Sequence, residues 1–79
     1  MSRHASLQLA RRGATSEEVV DAIQGSDWEA AGGGRWECRR TYAYRQEWNG
    51  TFYEFKQVRP IFVEEMMEIV VVTVYVYYF

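Results

Sequence analysis

The fold is decided by residues 36–58, which read WECRRTYAYRQEWNGTFYEFKQV. From Trp36 to Tyr44 the alternate positions hold Trp36, Cys38, Arg40, Tyr42 and Tyr44, which are apolar or aromatic except for Arg40. This is the two-residue period of a β-strand. Asn49 and Gly50 follow, and this dipeptide favours a two-residue type I′ turn because both central residues need positive φ. The stretch therefore predicts a β-hairpin in which residues 51–58 return beside the first strand.

Toward the carboxyl end, the pattern predicts more sheet. Pro60 cannot donate a ladder hydrogen bond, so we expect a bulge, an edge or a strand start there. Residues 61–63 continue the sheet and residues 64–68 turn. Residues 69–79 form the last strand, which is apolar on both faces and therefore typical of the middle of a sheet. Its aromatic end, residues 75–79, is a candidate contact with a partner chain.

Toward the amino end, the pattern predicts two short helices. Residues 2–12 form the first, with Gly13 as its C-cap. Thr15 and Glu18 have the spacing of a capping box, and the second helix ends at Gly25. The three glycines 32–34 predict a flexible break. We therefore expect a single α+β domain over residues 1–79, in which an N-terminal helical hairpin packs on a four-stranded antiparallel meander sheet.

Composition excludes several classes of protein. The chain has 79 residues, of which 48% are hydrophobic and 16% aromatic, so it can form a packed core. One Cys and one His exclude an intrachain disulfide and a structural zinc site, and we expect no cofactor and no metal. The longest apolar run, residues 69–79, is shorter than the about 20 residues of a spanning helix. With no apolar leader at residues 1–16, we expect no membrane association and a cytoplasmic protein.

Charge is unevenly distributed. The net charge is −2, but residues 35–59 contain six cations and three anions, a local excess of three positive charges. A basic middle segment can bind a phosphate backbone, and a solvated sheet face explains the same pattern.

Two blocks of sequence resemble a known family. The first block consists of HA at residues 4–5 and RGATSEEV at residues 12–19. The second consists of YEFKQV at 53–58, PIFV at 60–63 and IVVVTVY at 69–75. In this order the blocks resemble a family of small bacterial and archaeal proteins of unknown function, which is grouped with RelE-like, barnase-type and colicin-type ribonuclease folds. The chain departs from the family at Gln8-Leu9, where the family often has Arg-Met.

The resemblance implies a metal-independent endoribonuclease that is the toxin of a toxin–antitoxin pair, with an antitoxin protein and RNA as partners. Such cleavage deprotonates the ribose 2′-hydroxyl, protonates the leaving 5′-oxygen and stabilises the phosphorane charge. The candidate site residues are His4 as acid–base, Arg12, Arg40 and Lys56 as phosphate contacts, and Thr73 and Tyr75 as support on the last strand.

Five of the six candidates also have a structural explanation. His4 can cap or pack in the first helical turn, and an Arg such as Arg12 is electrostatically favoured in a last turn. Arg40 shares strand parity with the aromatic face, where a cation needs a partner, a ring or an anion, unless a bulge turns it to solvent. Thr73 and Tyr75 are ordinary residues of a strand and a core.

Two other functions are open. A non-enzymatic interaction module would use the aromatic sheet face or the last strand to bind a partner or form a homodimer. An RNA-binding sheet would use Tyr and Trp rings as stacking platforms, which requires those rings to be exposed.

Overall fold

The computed structural model describes Leu9 and residues 11–79. Its elements are α1 (Ser16–Gly25), β1 (Glu29–Gly32), β2 (Arg35–Glu37), β3 (Arg40–Trp48), β4 (Thr51–Glu65) and β5 (Glu68–Tyr78). Leu9, Arg11 and Arg12 have helical backbone. The rest of the predicted first helix, residues 2–8 and 10, lies outside the described residues. No helix within the described part of the chain is long and apolar enough to cross a membrane.

The predicted helical hairpin on a four-stranded sheet is wrong. Apart from the helical backbone at Leu9, Arg11 and Arg12, the described residues form one short helix, α1, and five antiparallel strands. One reason is that residues 32–34 are a tight turn: all three glycines have positive φ, and Gly32 pairs with Arg35. The other is that the strand predicted from Trp36 onward is interrupted at residues 38–39, which separates β2 from β3.

The sheet is organised around β4. Lys56 of β4 pairs with Tyr42 of β3 and with Tyr78 of β5, so these two strands lie on opposite edges of β4. Further along, Phe62 pairs with Trp36 of β2 and Val71 of β5. Strands β3 and β2 therefore follow one another along a single edge of β4, while β5 occupies the other edge. The two apolar faces of β5 predict a strand in the middle of a sheet, with a neighbouring strand at each edge. Within the described residues that prediction is wrong, because β5 pairs with β4 alone.

Pro60 lies inside β4, opposite the gap between β2 and β3. Its carbonyl oxygen accepts a hydrogen bond from the Cys38 amide at 3.4 Å. In an antiparallel strand the N–H and C=O of one residue point to the same side. The position where Pro60 lacks an N–H therefore faces the gap, and neither β2 nor β3 has an acceptor there that is left without a hydrogen-bond donor from Pro60. The bulge expected near this residue occurs one position later, as a register shift between Ile61 and Phe62.

Helix α1 is capped as the sequence predicts. The Glu18 amide donates to the Thr15 hydroxyl at 3.1 Å, and the Thr15 amide donates to Glu18 Oε1 at 2.9 Å. The helix then buries Val19 and Ile23 against the sheet, in a core that includes Val58, Phe62 and Val74. The helix thus covers one face of the sheet and leaves the other to form a surface.

Candidate functional site

The sheet face that points away from α1 is here called the open face. Residues two apart on a strand share a face, and so do directly paired residues of neighbouring strands. The open face consists of Glu37 of β2, Thr41 of β3, Phe55, Gln57, Arg59 and Ile61 of β4, Thr73, Tyr75 and Tyr77 of β5, and Phe79 just after it.

Four aromatic rings of the open face are exposed. Phe55 and Phe79 exchange both backbone hydrogen bonds, at 2.8 and 3.1 Å, and their ring centroids lie 5.6 Å apart. Their exposed fractions are 44% and 56%, and those of Tyr75 and Tyr77 are 39% and 43%. The RNA-binding alternative requires exposed Tyr or Trp rings, and on this face Tyr75 and Tyr77 are exposed. Protein interfaces use the same residue types.

Arg59 links the polar part of the open face. Its Nη2 donates to Glu37 Oε2 at 2.6 Å and its Nη1 to the Tyr77 hydroxyl oxygen at 3.3 Å. Its guanidinium also lies 5.7 Å from the centroid of the Tyr75 ring. The hydrogen bond from Arg59 lowers the pKa of Glu37, and the same contact raises the pKa of Arg59. The pair is therefore charged on both sides near neutral pH.

Arg12 reaches the same tyrosine from the segment before α1. Its guanidinium carbon lies 5.1 Å from the Tyr75 ring centroid, and Nη1 donates to the Val74 carbonyl at 2.7 Å. Tyr75 is thus contacted by two guanidinium groups, those of Arg12 and Arg59. A ring flanked by cations in this way is stabilised by cation–π attraction.

Lys56 lies on the opposite, helix-covered face and is almost completely buried. Its Nζ lies 2.9 Å from both carboxylate oxygens of Glu18, donates to the Gly13 carbonyl at 3.0 Å, and lies 5.4 Å from the Tyr44 ring centroid. A buried ammonium requires such partners. The geometry makes Lys56 a link between the start of α1 and the sheet.

Arg40 also points toward α1. Its Nε lies 3.2 Å from Asp21 Oδ2, and its guanidinium lies 5.9 Å from the Tyr42 ring centroid. The Tyr42 hydroxyl donates to the same Asp21 oxygen at 2.7 Å. Burial, and next the Asp21 carboxylate, raise the pKa of Tyr42 well above its usual range. Arg40 therefore has the ring and the anion that its strand parity predicts, and no bulge turns it away from this face.

Tyr78 holds the end of β5 to the segment before α1. Its hydroxyl donates to the Arg12 carbonyl at 2.5 Å, and its ring stacks on Trp48 with centroids 5.0 Å apart. The Tyr44 and Tyr53 rings lie 5.2 and 5.6 Å away. Burial raises the pKa of Tyr78 to about 12, so its hydroxyl stays protonated near neutral pH. This cluster is structural.

The structure divides the predicted site residues between the two faces. Tyr75 and Thr73 lie on the open face and Arg12 contacts Tyr75, whereas Arg40 and Lys56 lie on the helix-covered face, each beside a carboxylate. His4 lies outside the described residues.

Arg59 and Phe55 were not predicted as site residues, whereas Tyr77 lies in the aromatic end, residues 75–79, that the sequence predicts as a partner contact. The available signal is that Phe55 and Arg59 are four residues apart, which places them on the same face of an extended strand. What the sequence alone does not supply is the pairing of Arg59 with Glu37, because these residues come from different strands.

No metal centre is evident in the part of the chain that the structure describes: it holds no group of three or more His, Cys, Asp or Glu residues placed to bind an ion. Cys38 is buried, and burial together with the Glu37 charge raises the pKa of its thiol to about 11. A thiol with so high a pKa is a poor nucleophile near neutral pH.

Comparisons of the chain with protein-family models, with curated proteins and with solved structures found no match. The resemblance of residues 4–19 and 53–75 to the ribonuclease-like family therefore stays a prediction.

Proposed function

We propose that the protein is an interaction module that binds a second copy of itself through the open face. The observation that carries this proposal is the set of four exposed rings, Phe55, Tyr75, Tyr77 and Phe79, beside Arg59. Tyr, Phe and Arg are enriched in protein interfaces and dominate their binding energy. Exposed aromatic residues gathered on one sheet face therefore favour burial against another protein surface.

A second copy can complement this face in charge. Sheets cover their apolar faces by packing on another sheet at about 10 Å. In a two-fold dimer the same patch meets itself, so it must carry its own complementary charges. The open face does so, because Arg59 and Arg39 both lie beside Glu37, at 2.6 and 3.4 Å. Two facing copies can share these charges across the interface.

Sedimentation velocity over a range of protein concentrations tests the proposal. Phe79→Ala removes a ring from the open face, and Phe52→Ala removes one from the β3–β4 hairpin end; their exposed fractions are 56% and 57%. We expect the wild type to dimerise, Phe79→Ala to weaken dimerisation about tenfold, as loss of a good interface ring does, and Phe52→Ala to change nothing. A wild type that stays monomeric, or equal effects of both substitutions, overturns the proposal.

A second candidate function is the metal-independent endoribonuclease implied by the family resemblance. The observation that favours it is the pair of guanidinium groups, Arg12 and Arg59, at the exposed Tyr75 ring. An arginine side chain can donate hydrogen bonds to a phosphate, and a nucleobase can stack on an exposed aromatic ring. In this proposal Arg12 contacts phosphate, Thr73 and Tyr75 support it, and His4 is the acid–base residue. Arg40 and Lys56, the other predicted phosphate contacts, each lie beside a carboxylate on the helix-covered face.

Growth of cells on induced expression tests the ribonuclease. We expect arrest and RNA fragments with the wild type, loss of both in His4→Ala and Arg12→Ala, and retention of both in Arg11→Ala, an exposed arginine one residue away. A co-expressed antitoxin protein would relieve the arrest. Harmless expression of folded wild-type protein contradicts this function and leaves the dimer proposal unaffected.

A further inference from the structure

An apolar groove lies between α1 and β5, on the side of the molecule away from the open face. Its volume is about 230 Å³, and it is lined by Val19, Val20, Ile23, Gln24, Ile69 and Val71. Val20 has an apolar side chain and is nevertheless 48% exposed. A second, shallow depression, lined only by residues of α1, adjoins the groove, because Val20 and Gln24 line both. The two depressions therefore form one surface along the helix.

The tip of the β4–β5 hairpin extends this surface. Met66 and Met67 are fully exposed, at 99% and 104%, and both have positive φ, 42° and 70°. A two-residue turn of this kind favours Asn-Gly, so two methionines are strained there. Ile69, which lines the groove, lies two residues beyond Met67, about 7 Å along the strand. The tip thus presents two flexible apolar side chains beside the groove.

The surroundings of the groove are acidic. Glu17 lines the second depression, Glu64 pairs with Ile69 of the groove, and Glu65 and Glu68 flank the methionines. None of these four glutamates has an ion-pair partner among the residues that the structure describes. No Lys or Arg lines either depression. The apolar surface is therefore bordered by negative charge that can attract a cationic partner.

We infer that the groove and the methionine tip bind a basic amphipathic segment of another protein. Its apolar side chains would enter the groove beside Val20, and its Lys or Arg side chains would face Glu17 and Glu68. A second copy of this chain does not fit, because two acidic surfaces repel each other. An anionic membrane is disfavoured for the same reason. This inference does not depend on the open face, which lies on the other side of the sheet.

A labelled peptide tests the inference. The probe is a fluorescein-labelled Leu/Lys peptide of about 15 residues with leucines at helical spacing, and the same peptide with Glu replacing Lys is its control. We expect fluorescence anisotropy to show binding of the Lys peptide that weakens as salt is added, and no binding of the Glu peptide. Amide NMR shifts on binding should map to Val20, Ile69 and their neighbours.

Three variants test where on the protein the Lys peptide binds. Val20→Lys places a cation in the groove at an exposed position, and we expect at least about tenfold weaker binding of the Lys peptide. Phe52→Ala should bind as the wild type does. Phe79→Ala should bind the peptide normally even where it dimerises poorly, so the two proposals can fail separately. Equal affinity of Val20→Lys and wild type, binding of the Glu peptide, or shifts confined to the open face would overturn the inference.

The methionine tip has its own test. We expect replacement of Met66 by Asn together with Met67 by Gly to raise the thermal midpoint, because this pair suits positive φ, and to weaken peptide binding severalfold. Unchanged peptide affinity in a stabilised variant would remove the tip from the binding surface.

Discussion

Replacing Lys56 with methionine tests how α1 is held on the sheet. Nζ of Lys56 lies 2.9 Å from both Glu18 oxygens and 3.0 Å from the Gly13 carbonyl. Methionine has a similar length and no charge, so the variant leaves both acceptors without this donor. The side chains of Lys56 and Glu18 are only 9% and 21% exposed, so water replaces the lost contacts incompletely.

The expected loss of stability is large for a chain of this size. Removing one partner of a buried ion pair costs about 3–5 kcal/mol. Glu18 is partly exposed and keeps its hydrogen bond from the Thr15 amide, so we expect about 2–3 kcal/mol. A 79-residue domain has a total stability of about 4–12 kcal/mol. The melting temperature should therefore fall by about 10–20 °C.

The assay is urea unfolding followed by far-ultraviolet circular dichroism and tryptophan fluorescence. The set is the wild type, Lys56→Met, Glu18→Gln and the double variant, which form a double-mutant cycle. The matched control is Arg45→Met, because Arg45 and Glu54 form an ion pair at 3.5 Å with side chains 75% and 57% exposed. Such an exposed pair should contribute about 0–1 kcal/mol.

Two results would refute this reasoning. One is a cost for Lys56→Met no larger than that for Arg45→Met. The other is a coupling free energy between Lys56 and Glu18 within about 0.5 kcal/mol of zero. Either result would mean that packing around Lys56, and not its charge, holds α1 in place.

Three further predictions concern single side chains. Gly13→Ala should lower the melting temperature, because Gly13 has φ +78° and a Cβ there would lie 2.6 Å from the Tyr78 hydroxyl. Glu37→Gln should flatten the loss of stability in acid: the Glu37 pKa is lowered by Arg59, so its contribution is complete above the usual glutamate pKa of about 4.3 and disappears as pH falls through the lowered value. Cys38 should react slowly with a thiol reagent at pH 8 and rapidly in denaturant, because its pKa is about 11.

Thermal melts, urea titrations from pH 7 to pH 3 and thiol-labelling rates measure these effects. An unchanged melting temperature for Gly13→Ala would contradict the close approach of Tyr78. Parallel acid profiles for Glu37→Gln and wild type would mean that Arg59 does not lower the Glu37 pKa. Fast labelling of Cys38 in folded protein would contradict its burial.

The sequence predicted correctly the helix cap and the hairpin turn, which depend on residues close together in the chain. The capping box of Thr15 and Glu18 is confirmed. So is the hairpin turn at Asn49 and Gly50, whose φ values are 51° and 83°. In both cases the residues that stabilise the backbone conformation lie within four residues of one another. The local sequence is therefore enough to predict the conformation.

The errors arose where distant strands decide the outcome. An alternating pattern through Trp36 and Tyr42 reads as one strand, but Trp36 pairs with Phe62 and Tyr42 pairs with Lys56 of the long strand β4. Only the register on β4 shows that residues 38–39 are a break. For the same reason the sequence left open whether Arg40 lies on the aromatic face or is turned to solvent by a bulge, and it did not identify Asp21 as its anion.

The central position of β4 has a consequence for synthesis of the chain. Val19 and Ile23 leave the ribosome well before Val58, a residue of β4 in the same core. At about 5–20 residues per second this interval is roughly 2–8 s. Throughout it, α1 and the strands ahead of β4 have no complete sheet to join. The nascent chain therefore presents apolar side chains to its surroundings, and its yield in a cell should depend on chaperones that hold unfinished chains.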